Sequence, residues 1–367
     1  MTDRTCLAAV FHRANQPLEL ATLDVPILQP GEVLAKVECC TVCGSDLHTI
    51  TGARQEKTPT ILGHEILARV TEVGGSSARD LDGNPLSPGD RITWSVAAAC
   101  GECDRCQTGM PQKCRNLAKY GHEQTHGRYA LSGGFAEYVF LRPGTAIVRI
   151  PDHVPSEVLC PANCATATVA AAYRMAGPII GKRVLILGAG MLGLTAAAFA
   201  RVSHAGRITV CDVSPKRCEQ ALQFGADEGI LLSKEGDLQS HLHSLSDVGP
   251  FDVNLELSGA PVAVETALQC GDIGAHLVLV GSVMPTRAVE ITPEKIVRNW
   301  LSIHGVHNYA PGDLQTAVDF LVKHGDEFPF RGLVEQTFGL REIQQAVEMA
   351  VRQHPVRVAI VPESDLP

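Results

Sequence analysis

The run KRVLILGAGMLGLTAAAFA, residues 182–200, constrains the fold more than any other. It reads as a buried strand, then the turn Gly188-Ala189-Gly190-Met191-Leu192-Gly193, then an alanine-rich helix. A G-x-G-x-x-G in that strand–turn–helix setting is a dinucleotide fingerprint, whereas the same glycines alone would say little. Gly188 permits the tight turn, Gly190 lets the backbone approach a pyrophosphate, and Gly193 lets helix and strand pack closely. The helix N-terminus offers unpaired N–H groups to the anion. The next strand, RITVCDV, ends on Asp212, about twenty residues on, where a carboxylate bonds the adenosine ribose hydroxyls. A carboxylate there repels a 2′-phosphate, so NAD is expected rather than NADP. Arg217 could flank the same ribose and weakens that preference, and a simple capping aspartate is the plainer alternative.

Around this fingerprint the chain alternates. KRVLILG, RITVCDV, FDVNLELSG and AHLVLVGS are apolar strands separated by helix-like stretches, up to about residue 305. Such alternation implies parallel βαβ units with helices on both faces of a doubly wound sheet. Residues 1 to about 150 have another texture: short alternating strands (VLAKVECC, ILARVTEVG, DRITWSV, FAEYVFL) between Gly- and Pro-rich turns. From Gly312 onward come two helical patterns, DLQTAVDFLVKH and REIQQAVEMAVRQ, and a closing strand, VRVAIVP. A chain of 367 residues accommodates two domains. The formal net charge of −9 and the lack of a Lys/Arg block argue against nucleic acid or a membrane surface as partner. The N-terminus has no signal-peptide core and no apolar run has the length of a span, which points to the cytoplasm.

Thirteen cysteines, an odd count in a long chain and clustered rather than spread, argue for metal binding over a disulfide framework. Cys100, Cys103, Cys106 and Cys114 follow the pattern C-x2-C-x2-C-x7-C in one polar loop. Four thiolates at that spacing suit a closed tetrahedral Zn2+ shell, which has no position left for substrate and is therefore structural. Cys43, His64 and Cys164 lie far apart in the chain. Two sulfurs and an imidazole would leave a fourth zinc position open, but periodicity alone cannot bring them together.

The Cys-Gly-Ser-Asp-Leu-His element at 43–48, Gly63-His64-Glu65, the four-cysteine loop, GGFAEYV, CATATV and the NAD fingerprint occur in one order along nearly the whole chain. In that order they resemble the zinc-dependent alcohol dehydrogenases of the medium-chain dehydrogenase/reductase superfamily. The resemblance implies an α/β protein with a GroES-like β-rich catalytic domain (residues 1–160) carrying both zincs, and a Rossmann domain (161–305). Residues 306–367 would return to the catalytic domain, with the active site in the cleft between domains. It implies Cys43, His64 and Cys164 as catalytic zinc ligands, a Cys2His set known for alcohol dehydrogenases generally. Glu65 is implied as a carboxylate that can approach the metal, Asp46 as the buttress of the ligand histidine, and Ser45 and His48 as a proton relay. At the place of Cys164, polyol dehydrogenases of this family often put a carboxylate instead. Gly281 and Ser282 would lie near the nicotinamide carboxamide. A homo-oligomer, dimer or tetramer, is expected from pairing of Rossmann edge strands.

The implied chemistry is reversible hydride transfer between an alcohol and NAD, with the alcohol deprotonated on zinc and its proton passed from Ser45 through the cofactor ribose to His48. A narrower similarity, carried by LSGGFAEYVFLRPGTAIVRIPD, PANCATATVAAA and GAGMLGLTAAAFAR, is to dehydrogenases associated with phosphonate catabolism. It implies an anionic alcohol, for which Lys119, His122, His126 and Arg128 in AKYGHEQTHGRYA are candidate donors, against the alternative of a solvated loop. The alternatives are a polyol dehydrogenase of the same superfamily and an inactive zinc-binding structural or interaction protein. The second of these would have no reason to keep Cys43, Ser45, His48, His64, Glu65 and Cys164 together.

Overall fold

Val33–Thr41, with small and β-branched residues buried on both faces, is the strand around which the first unit is built. It pairs antiparallel with Glu65–Val73, setting Thr41 opposite Glu65. It also pairs with Arg357–Val361, setting Ala359 opposite Thr41, and with Tyr138–Leu141. The sheet extends through Arg91–Trp94 to Ile147–Arg149 on one side, and through Arg357–Val361 to Val334–Gly339 on the other. Trp94, Phe135, Phe140, Ile61 and Ile66 fill the core against it. The helix Ile343–Gln353 adds Ile343, Ala346, Val347 and Ala350, an i, i+3, i+4, i+7 stripe that buries one face.

This computed structural model describes residues 4–362. The first unit runs to Cys164 and regains the chain at Ala310–Val322 and from Phe330 on; the second holds Ala165–Tyr309 and Lys323–Pro329. The divisions thus fall after Cys164 and Tyr309 rather than after residues 160 and 305. Lys323–Pro329 departs from an undivided return of the C-terminal segment.

The second unit is a parallel sheet of six strands, in the order Glu228–Leu231, Arg207–Asp212, Arg183–Leu187, Phe251–Glu256, Gly271–Leu279, Ser302–Gly305. That is the 3-2-1-4-5-6 doubly wound order, whose switch point lies between the first and fourth strands. Four of these strands are apolar enough to be read from the sequence. The two edge strands, EGIL and SIHG, are only partly buried and short, so nothing in their composition marks them. Among the described residues no helix is long and apolar enough to cross a membrane.

Candidate active site

Sheet register assembles the first site. Thr41 and Glu65 face each other across paired strands, so Cys43, just past one strand, and His64, just before the other, emerge at the same end. Arg357 opens the strand on the opposite flank of Val33–Thr41 and reaches that end too. Cys43 leads into the helix Gly44–Ile50, where Ser45, Asp46 and His48 fall in the first turns. Cys164 arrives from a short 3-10 turn, Cys160–Asn163. Asn163 pins that turn by donating to the His64 carbonyl (3.0 Å) and accepting from the Ile66 N–H (3.3 Å). Cys160 donates its thiol to the Glu65 carbonyl (3.0 Å).

The ligand atoms of Cys43, His64 and Cys164 all lie within 4.8 Å of one another, and the two sulfurs are 4.0 Å apart. Zn–S bonds of ~2.3 Å in a tetrahedral shell place sulfurs ~3.8 Å apart, so the geometry suits zinc. Asp46, fully buried, has Oδ1 3.3 Å from His64 Nδ1. Its Oδ2 accepts from the Cys43 N–H (2.9 Å) and its Oδ1 from the Gly63 N–H (3.2 Å). One carboxylate therefore holds the backbone at Cys43 and faces the ring's Nδ1, which leaves His64 Nε2 as the nitrogen turned towards the two sulfurs. Ser45 Oγ is 3.3 Å from that Nε2, and His48, on the same helix, is exposed.

The charges around this end are arranged for metal binding. Cys43 is held far below the ordinary thiol range, through its contact with the Cys164 thiol and through Arg357 and His64. Burial opposes charging of His64, but Asp46 and Cys43 outweigh it and push its basicity up. Glu65 is pushed up by burial, and Arg357 holds it back by a two-pronged pair, 2.7 Å at each oxygen. Thr41 Oγ1 donates to the same carboxylate at 2.5 Å. With these partners Glu65 is turned to Arg357, whose Nη2 is also 3.9 Å from Cys43 Sγ.

Cys100, Cys103, Cys106 and Cys114 likewise converge to within 4.8 Å, with sulfur–sulfur distances of 3.4, 3.6 and 3.9 Å along the cluster. Backbone N–H groups of Arg115 and Cys106 hold the Cys103 thiol down to about 6, so a thiolate is available at neutral pH. Cys114 accepts from the N–H groups of Cys100 and Asn116, both at 3.3 Å. The four donors fit a closed zinc shell.

In the second unit Gly188 has φ +104, a conformation that favours glycine. A Cβ on Gly193 would sit 1.8 Å from the Gly188 carbonyl oxygen, whereas one on Gly190 would meet nothing within 4 Å, so that face is open. Met191 and Leu192 start the helix Met191–Val202. Asp212 Oδ2 accepts from the Ala189 N–H (2.7 Å) and its Oδ1 from the Ser214 N–H (2.9 Å), tying the glycine turn to the neighbouring strand end. Arg217 is half-buried in the helix Pro215–Gln223. Gly281 and Ser282 follow the Gly271–Leu279 strand, and Ser282 Oγ donates to Glu256 Oε2 at 3.0 Å.

Several residues here were not legible beforehand. Glu256, fully buried, accepts from Ser258 N (2.7 Å), Ser258 Oγ (2.9 Å) and Gly259 N (2.6 Å). Its only signal is an acid ending an apolar strand. Arg357 has the matching signal, a cation opening the apolar strand VRVAIVP. Of the four anion donors expected in residues 118–130, Arg128 is not available: Nε and Nη2 are bound to the buried Glu32 at 2.8 and 2.6 Å. Nothing places His126 at the site. His122 does come to it, its ring centroid 5.2 Å from that of His64.

Residues 29–152 match the family described as alcohol dehydrogenase GroES-like domain, and residues 192–323 match zinc-binding dehydrogenase. The chain is a member of the zinc-type medium-chain dehydrogenase/reductase superfamily. It is 32% identical to an alcohol dehydrogenase of Geobacillus stearothermophilus over 93% of this chain and 94% of that one. It is 34% identical to an L-threonine 3-dehydrogenase of Pyrococcus horikoshii over 78% and 79%. Among solved structures, an alcohol dehydrogenase from Thermotoga maritima superposes with a TM-score of 0.90 at 28% identity, covering 98% of this chain and all of the other. These relatives are dehydrogenases, which supports an oxidoreductase as the activity class.

Proposed function

We propose that this protein is a zinc-dependent, NAD-linked alcohol dehydrogenase, interconverting an alcohol with its aldehyde or ketone. The observation that carries this reading is the convergence of Cys43, His64 and Cys164, with the Asp46 carboxylate beside the imidazole. Bound there, zinc supplies a Lewis acid that lets an alcohol lose its proton near neutral pH, and NAD supplies the hydride acceptor. Cys43 and Cys164 would hold the metal through sulfur and His64 through Nε2. Ser45, half-buried and beside that nitrogen, takes the alcohol proton. His48, exposed one turn on, exchanges it with water. Cys164 as third donor favours an alcohol over a polyol, for which a carboxylate would be expected in its place. Asp212 at its strand end favours NAD by repelling a 2′-phosphate. A homo-oligomer is proposed as well, and the cytoplasm as its compartment, since all thirteen cysteines are free thiols or zinc-site sulfurs.

The test combines metal analysis with absorbance at 340 nm on a panel of alcohols. Two zincs per chain and NADH formation, with NAD preferred to NADP by at least tenfold in kcat/KM, are expected. A fully zinc-loaded protein that oxidises none of them would sink the activity, and equal efficiency with NADP would sink the role of Asp212.

A further inference from the structure

Glu256 is fully buried in the second unit, and no cation pairs with it among the described residues. The other buried acids of that unit have plain roles. Asp212 ties down the glycine turn, and Glu265 is held by Arg287 at 2.6 and 2.8 Å. Around Glu256 stand neutral donors instead. Its Oε1 takes the N–H groups of Ser258 and Gly259 and the Ser258 hydroxyl, and its Oε2 takes the Ser282 hydroxyl. Ser258 Oγ in turn accepts from the Ala260 N–H (3.1 Å), which leaves its own proton for Glu256. A carboxylate out of water is costly, and a methionine or leucine ending this apolar strand would avoid the cost. What the acid adds is a fixed place for every group that donates to it.

Those groups belong to the chain segments at one end of the sheet. Phe251–Glu256 lies between Arg183–Leu187 and Gly271–Leu279, with Leu187 and Leu279 opposite Glu256. Ser258 and Gly259 follow its own strand, and Ser282 follows the neighbouring one. The Glu256 carbonyl joins the same two segments by accepting from the N–H groups of Val280 (3.0 Å) and Gly281 (2.9 Å). No side chain fits between them. A Cβ on Gly281 would stand 2.7 Å from Ser258 N, and one on Gly259 2.7 Å from the Gly281 carbonyl oxygen. A Cβ on Gly188 would stand 3.0 Å from Ser258 N. The glycine turn, residues 257–260 and residues 281–283 therefore form one interlocked layer. Ser258 and Ser282 are exposed residues, yet both hydroxyls turn inward to the carboxylate beneath.

We propose that Glu256 is a positioning residue for the nicotinamide half of the bound dinucleotide. This rests on the NAD reading above. In a sheet of order 3-2-1-4-5-6 the dinucleotide crosses the switch point between Arg183–Leu187 and Phe251–Glu256. Asp212 marks the adenosine side. The nicotinamide side then falls to the ends of Phe251–Glu256 and Gly271–Leu279, whose following segments Glu256 joins. Lying beneath them, Glu256 acts through their backbone. Segments already held in place lose less freedom when the cofactor arrives, so binding is tighter. The effect is selective: disturbing Glu256 weakens recognition of the nicotinamide half and spares the adenosine half.

The experiment titrates the zinc-loaded wild type, Glu256→Met, Glu256→Gln and Ser258→Ala, with exposed Glu235→Gln as control. The ligands are NADH and ADP-ribose, which lacks the nicotinamide. Calorimetry gives the ratio of the ADP-ribose Kd to the NADH Kd, and in wild type it should be about ten or more. Glu256→Met leaves the donors without an acceptor and should lower that ratio about tenfold, with the ADP-ribose Kd kept within about threefold. Glu256→Gln should keep most of the ratio. Its oxygen can serve Ser258 and Gly259 while its NH2 donates to Ser282 Oγ. Ser258→Ala, with one bond lost, should lower the ratio about threefold. Glu235→Gln should leave it unchanged. In turnover, Glu256→Met should raise KM for NAD more than it lowers kcat.

Hydrogen exchange on the cofactor-free protein reads the same device without ligand. The Ser258 and Gly259 amides should exchange about tenfold faster in Glu256→Met, and the Ala189 amide, bound to Asp212, at its wild-type rate. Equal weakening of NADH and ADP-ribose in Glu256→Met would reduce the residue to a structural role and overturn the proposal, as would an unchanged ratio. Should Glu256→Met not fold, Ser258→Ala decides by the same ratio. A wild type that binds ADP-ribose as tightly as NADH would overturn the proposal and leave NAD-linked oxidation of alcohols standing. A wild type that binds neither ligand would end the NAD reading itself, and the proposal with it.

Discussion

Arg357 shows how much a single side chain carries. It is nearly buried and spans a fully buried carboxylate and the Cys43 sulfur. Removing one partner of such a pair costs more than the pair contributes, because the other charge stays behind unsolvated. Arg357→Met should therefore destabilise the first unit by about 3–5 kcal/mol. The double variant Glu65→Gln/Arg357→Met should recover part of that loss. Urea unfolding of the zinc-loaded proteins measures both, and additive losses would show that the two side chains do not act as a pair. Glu65 was visible in the sequence because it adjoins His64. Its partner was not, since 292 residues separate them and only the register of two strands on Val33–Thr41 brings them together. Cys43, His64 and Cys164 were individually visible for the opposite reason, their residue types and local words, while their meeting was known only through resemblance.

Loops and strands have their own requirements. The cysteine loop has two short helical turns, Asp104–Gln107 and Pro111–Lys113, neither with a buried residue, and it is latched from outside by the exposed Arg115–Asp104 pair. Exposed pairs add little, so metal is what can order it. Cys103→Ser should lower the melting temperature by several degrees, with a smaller effect on kcat in the protein that remains folded; an unchanged melting temperature would deny the metal that role. At the entry to Val33–Thr41, the buried Glu32 gathers Arg128, the Tyr129 hydroxyl and the Gln29 N–H. Burial opposes its charge, but Arg128 and that N–H prevail and hold its carboxyl below the ordinary 4.5. A carboxyl lowered on folding stabilises the protein above its unfolded pKa, and that gain fades as pH falls through the folded value. Glu32→Gln should thus cost about 1–3 kcal/mol at pH 7. In denaturant titrations the gap to wild type should narrow below about pH 4.5; a pH-independent gap would place the effect elsewhere. Periodicity made the central parallel strands legible because they are buried on both faces. It missed Glu228–Leu231 and Ser302–Gly305, since an edge strand needs only one covered face and little length.

At the scale of the whole molecule, that unread edge becomes the informative part. Ser302–Gly305 closes the second unit's sheet, and no strand pairs with its outer side among the described residues. An open edge is normally short, charged or covered. This one is short, yet apolar residues cluster by it: Ile273, Val297 and Ile303 are exposed, and Trp300 is 81% exposed. Trp300 also has φ +51, a left-handed conformation costly for a bulky side chain. Solvent-facing indole on a strained backbone gives no benefit to an isolated subunit, and a second copy meeting the same edge would cover it as a two-fold, self-complementary contact. Sedimentation equilibrium at micromolar concentration should therefore show a dimer or larger assembly. Ile303→Lys should shift it towards monomer at least tenfold in Kd. Trp300→Gly separates association from folding, because glycine relieves the left-handed strain. That variant should melt as a subunit no less stable than wild-type monomer while its association weakens. A wild type that sediments as a monomer, or a Trp300→Gly protein that associates as tightly as before, would place the subunit contact somewhere other than this edge.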